Sequence, residues 1–189
     1  TRSSTVLSET GFSNGLSYYY VITAHDGVNE SANSNQAFAI PVDNTAPNAP
    51  TSLTAVDRPA DQGFAIDLSW TPSTSTDVTQ QRVYRSLTSG GPYTQITSFA
   101  NNTTSSYTDT GLTNGVTYYY VITAHDGVNE SANSNQAFAI PVDNIAPNAP
   151  SALIAGDHPT DQGFAIDLSW TVSTSTDVTQ QRVYRSLTS

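Results

Sequence analysis

Residues 65–70 read Ala-Ile-Asp-Leu-Ser-Trp, an alternation that puts Ile66, Leu68 and Trp70 on one side of an extended chain and Asp67 and Ser69 on the other. A period of two belongs to a strand with one face in a core and one face in water. Residues 117–124, Thr-Tyr-Tyr-Tyr-Val-Ile-Thr-Ala, are β-branched and aromatic almost throughout and form the strongest strand of the chain. Working outward, further short runs at 52–56, 81–86, 93–97, 105–110 and 136–140 are separated by turn-forming residues. No window carries the 3.6-residue period of a helix, and Pro and Gly are spread throughout. The fold class is therefore all-β, a sandwich of short antiparallel strands with helix close to nil.

This unit is repeated. Residues 111–150 copy 11–50 with five substitutions, and 151–189 copy 51–89 with seven, all at one offset of 100 residues and without a gap. Residues 1–10 and 101–110 share only Thr10 and Thr110. The Pro-dense stretch 41–50, Pro-Val-Asp-Asn-Thr-Ala-Pro-Asn-Ala-Pro, recurs at 141–150 with Ile145 in place of Thr45. Ala46-Pro47 and Ala49-Pro50 bias this backbone toward extended geometry, so it reads as a semi-rigid linker. Cutting there leaves part of a unit in 1–45, a whole unit in 46–145 and part of another in 146–189. With Thr1 rather than Met at its start, the chain is expected to be a piece of something longer or a mature segment whose signal has been removed.

The whole unit resembles a fibronectin type III module of the kind common in bacterial secreted and surface proteins. The resemblance is carried by the Pro-rich entry with Leu53, by Leu68-Ser69-Trp70, and by Arg82-Val83-Tyr84-Arg85-Ser86. It continues through Leu112-Thr113-Asn114-Gly115 ahead of Tyr118, and through residues 126–131 before the last strand. The resemblance implies an immunoglobulin-like sandwich of seven strands lettered A to G, no disulfide and, usually, no catalysis. It implies strands E, F and G in 1–45 and A, B and C in 146–189. Leu112 and Tyr118 have the spacing of the family's tyrosine corner, whose phenol bonds back to nearby backbone. Gln81 stands where the family usually carries an aromatic, so the start of that strand is expected to pack thinly.

Composition excludes several functions. Sixteen Asp and Glu face six basic residues, all Arg, for a net charge of −10; such a chain is repelled by a phosphate backbone, which argues against nucleic acid. There is no Cys, hence no thiolate nucleophile, disulfide or Cys-ligated metal. No apolar run approaches the ~20 residues of a membrane span. The histidines are His25, its copy His125, and His158 in the place of Arg58. No Ser stands in a Gly-x-Ser-x-Gly elbow and no phosphate-cradling loop is present, so the chain reads as a non-enzyme.

Two surfaces remain. In this fold the loops after the second and sixth strands share one pole with the incoming linker, which would gather Asp43, Asp77, Asp126, Asn129 and Glu130. Oxygen ligands in that number suit calcium, which takes about six to eight; the competing reading is that these residues satisfy their own turns. No other cofactor is called for. Alternation also sends Arg82, Tyr84, Tyr119, Val121, Phe138 and Ile140 to the outer face of one sheet. Of these, Tyr84, Tyr119, Val121, Phe138 and Ile140 form a candidate interface, with solvent-facing filler and a carbohydrate-stacking face as alternatives. The functional expectation is a structural segment of an extracellular or cell-surface stalk, fibre or filament. Its partners would be copies of itself, head to tail and laterally, that complete the partial units. The alternatives are an adhesin or carbohydrate-binding module, or a spacer in a secreted polysaccharide-degrading enzyme.

Overall fold

The computed structural model describes residues 6–160 and 162–188; residues 1–5, Asp161 and Ser189, which belong to the two outer segments, lie outside the described residues. Strands in chain order are β1 (Tyr18–Tyr20), β2 (Ala37–Ala39), β3 (Thr51–Asp57), β4 (Ala65–Thr71), β5 (Gln80–Ser86), β6 (Thr94–Phe99), β7 (Ser106–Thr110), β8 (Tyr118–His125), β9 (Ala137–Ala139), β10 (Ser151–Asp157) and β11 (Ile166–Thr171). Among the described residues there is no helix, and so none long and apolar enough to cross a membrane.

Residues 65–70 do in β4 what their alternation requires. Ile66, Leu68 and Trp70 are buried while Ser69 faces water. Strand β4 lies between β3 and β7 in a three-stranded antiparallel sheet. The facing sheet runs β6-β5-β8-β9, also antiparallel, with Tyr118, Tyr120 and Ile122 of β8 and Val83 of β5 turned inward. Leu53, Ile66, Leu68 and Trp70 from one layer meet Val83, Tyr118, Tyr120, Ile122 and Ala137 from the other, with Leu112 in the connection between them. Apolar area taken from water in this way is the main favourable term of the sandwich.

The Gln81 expectation is corrected. Gln81 is fully buried, and its amide is satisfied on both sides. The Trp70 indole N–H donates to Gln81 Oε1 at 2.7 Å, and Gln81 Nε2 donates to the carbonyls of Asn101 and Thr104 at 3.3 and 3.0 Å. A buried amide that makes all these bonds leaves no gap open to water at this point and also ties the 101–104 loop to the core.

At each end of 46–145 the Pro-rich stretches are pinned. The Asn48 backbone N–H donates to Ser75 Oγ and its amide to Thr74 Oγ1; Asn144 donates through its amide to Asp57 Oδ2 at 2.7 Å and through its backbone to the Asp61 carbonyl. Among the described residues outside this unit, β1 pairs only with β2 and β10 only with β11, each as a two-stranded ribbon; the strands expected as E in 1–45 and C in 146–189 are not formed, because their central equivalents β7 and β5 ladder onto β4 and β8, whose copies lie in the opposite outer segment.

Candidate functional site

The linker, the turn at 75–77 and the turn at 126–129 bring the carboxylates of Asp43, Asp77 and Asp126 together, one oxygen of each lying within 4.8 Å of the others. Asn129 joins them as a donor, its amide reaching the Asp43 carbonyl and Asp126 Oδ2, both at 3.3 Å. Asp126 Oδ1 accepts the backbone N–H groups of Val128 and Asn129 at 2.7 and 2.6 Å. These bonds, with Asn129 first, hold the Asp126 carboxyl below its ordinary value. The turn chemistry read as the competing explanation is thus present at Asp126. Each of the three carboxylates nonetheless keeps oxygen lone pairs that a hard cation could take.

Glu130, expected in the same group, stands elsewhere. It is the hub of a network on the outer face of the four-stranded sheet, accepting from Arg82 Nη1 at 2.8 Å, from the Tyr84 hydroxyl at 2.7 Å and from Thr123 Oγ1. Alternation explains the displacement: Arg82, Tyr84 and Thr123 face outward from β5 and β8, and the His125–Glu130 bridge carries Glu130 back over them. Burial raises the Glu130 carboxyl, but the bonds from Thr123, Tyr84 and Arg82 outweigh it, and its pKa is lowered.

The outer-face patch is smaller than alternation implies. Phe138 and Ile140 are exposed, and the Phe138 ring lies 5.8 Å from that of Tyr119. Tyr84 and Tyr119 are half-buried. Val121, counted in the patch, is only 3% exposed. It stands opposite Tyr84 and between Tyr119 and Thr123 on the same face, and larger neighbours shield so short a side chain.

Sequence reasoning missed a third polar group, inside the sandwich. Asp109 is buried, accepts both an Arg85 Nη1 bond at 2.9 Å and the Tyr120 hydroxyl at 2.9 Å, and is reached from the other sheet. Burial, reinforced by Asp109, pushes the Tyr120 hydroxyl well above the ordinary phenol value. Nothing local flags this triad, since its members come from β5, β7 and β8. The histidines have turn roles: His125 Nδ1 accepts the Gly127 N–H at 2.9 Å, as His25 does from Gly27. His158 lies 3.0 Å from Asp167, as Arg58 faces Asp67.

Two facing antiparallel sheets in this strand order, with the Tyr118 hydroxyl accepting the Thr113 N–H at 3.0 Å as a tyrosine corner, define an immunoglobulin-like sandwich. No family model matches the chain. It is 39% identical to a Fn3-like protein from Clostridium thermocellum, over half of this chain and 92% of that one, with a TM-score of 0.43. That identity, across 92% of the matched chain, places the chain in the fibronectin type III family. It is also 43% identical over 99 residues to an amylopullulanase of Thermoanaerobacter thermohydrosulfuricus and 31% identical over 138 residues to exoglucanase B of Cellulomonas fimi. These alignments cover 51% and 70% of this chain, but the chain spans only 6% and 11% of those proteins.

Proposed function

We propose that the chain is a non-catalytic run of fibronectin type III modules that acts as an extracellular spacer, built into a stalk, fibre or filament. The observation that carries this reading is the linker: each Pro-rich stretch is bonded to loops at a module's end, Asn48 to Thr74 and Ser75, Asn144 to Asp57 and Asp61. Asn148 repeats the first set on Thr174 and Ser175. A spacer needs its modules held at a fixed distance, and a pinned proline-rich joint supplies that where a free Gly/Ser linker would not. The matched proteins named as amylopullulanase and exoglucanase are large, and a short module run inside them fits the spacer role. Small-angle scattering on concatenated 46–145 units tests the reading. The maximum dimension should grow linearly with copy number; growth with roughly the square root of copy number would refute it.

A second reading, a carbohydrate-binding face, is favoured by the Tyr119–Phe138 ring pair on the outer sheet. Retention on insoluble polysaccharide that is lost in a Tyr119→Ala, Phe138→Ala variant would establish it over the spacer reading.

A further inference from the structure

The joint between the whole unit and the segment that follows it holds a contact beyond those of the linker itself. Residues 142–144 are fastened to the unit behind them. The Val142 N–H donates to Asp57 Oδ1 at 2.9 Å, Asp143 forms a backbone bridge with Gln62, and Asn144 completes the set on Asp57 and Asp61. Asn148 is fastened to the segment ahead, on Thr174 and Ser175. Only Ile145, Ala146 and Pro147 lie between the two sets, and the proline ring restricts both itself and Ala146. Across this short span the two sides also touch directly: Gln62 Nε2 donates to Asp177 Oδ2 at 3.3 Å.

The repeat gives this contact its meaning. Asp143 and Asp177 stand one period after Asp43 and Asp77, two of the three carboxylates gathered at the head of the whole unit. Gln62 therefore engages the copies of both, one through its backbone and the other through its amide. Asn129 acts in the same way from within its own unit, donating its amide to the Asp43 carbonyl and to Asp126 Oδ2. Carboxylates this close repel one another. Amide N–H groups offset that charge, and a hydrogen bond to an ionised acceptor is stronger than one to a neutral acceptor. The sequence Asp-Gln-Gly of 61–63 recurs at 161–163, so the donor turn is repeated together with the acids.

We infer that the acid group at the head of a unit is the docking surface for the Asp61-Gln62-Gly63 turn of the unit before it in the same polypeptide, with the Gln62 amide reaching the position of Asp77 in the next unit. The inference deepens the spacer reading and rests on it: the linker sets the distance between modules, and the docked turn sets the angle. An exposed hydrogen bond contributes only modestly by itself. Here it acts on a joint whose other freedoms the anchored linker has already removed, so little motion is left for it to restrain. The surface asks for a neutral donor, because an acid in place of Gln62 would stand against Asp177. The amides of Gln62 and Asn129 occupy the acids where a cation would otherwise sit.

The chain has no Cys, so cysteines introduced at Ser98 and Ser169, both exposed and on opposite sides of the joint, can carry spin labels for a distance measurement in the full chain. The distance distribution should be narrow. Gln62→Glu should broaden it about twofold or more by setting like charges together. Adding Asp177→Asn should narrow it again, because the new amide can donate to the new carboxylate. EDTA and millimolar Ca²⁺ should give the same distribution, and an unchanged melt of the central sandwich serves as the folding control. Should amide exchange show the outer segment unfolded, the corresponding labels in two concatenated 46–145 units give the reading, with Asp77 of the second unit in the place of Asp177. A distribution that is broad from the start, that Gln62→Glu leaves unchanged, or that narrows only with Ca²⁺ overturns the docking. The spacer reading fails separately: it needs linear growth in scattering, which the anchored linker can supply even with Gln62 substituted.

Discussion

Gln81 is where single-residue chemistry departs most from pattern. Its amide is fully buried, and three groups depend on it: the Trp70 indole, the Asn101 carbonyl and the Thr104 carbonyl. Gln81→Leu fits the space but strands those partners, and should lower stability by about 1–3 kcal/mol in a urea titration with unchanged m-value. A change of only a few tenths would mean that water replaces the lost bonds. Gly63 is the second sensitive residue. Its φ is +76°, and a Cβ there would sit 2.8 Å from the Asp143 backbone N, where the linker passes. Gly63→Ala therefore combines left-handed strain with a backbone clash, and should lower the melting temperature measurably. The turn signal around Gly63 is local and legible in sequence; the backbone lying against it, 80 residues away, is not.

At the scale of elements, strands were legible because alternation and turn residues act over a few positions. β4 and β8 match 65–70 and 117–124 to within a residue or so at each end. What β5 and β8 build together was not legible, because the Arg82–Glu130–Tyr84 network exists only once Arg82 pairs with Thr123 and the following loop folds back. That network has a pH signature. Glu130 is lowered in the folded state, so its stabilisation is present above its unfolded value and is lost as pH falls through the folded one. Unfolding free energy should therefore drop as pH falls from neutral into the acid range, and Glu130→Gln should flatten that acid limb. Parallel curves for the two proteins would show that the ion pair carries no pH-dependent stability. The partial exposure of the pair keeps the effect small at high salt.

For the whole molecule, the junction carboxylates are the feature open to direct measurement. Asp43, Asp77 and Asp126 repel one another at this separation, and Asp77 is exposed. Asp77→Asn should raise the melting temperature in EDTA. The calcium expectation is tested by the same melt: a rise in millimolar Ca²⁺ that disappears in Asp77→Asn supports it, and superimposed curves end it. Sequence alone determined the all-β class, the 100-residue repeat and the strands of the central unit, because each depends on residue spacing over a short stretch of chain or on direct self-similarity, and the family resemblance added the tyrosine corner. Tertiary structure decided that Glu130 leaves the linker cluster, that Val121 is shielded, that Gln81 fills the core and that Asp109 is buried between Arg85 and Tyr120. These outcomes depend on which strands lie side by side and in what register, which no local pattern specifies; a carboxylate takes its role from the partners that distant strands bring to it.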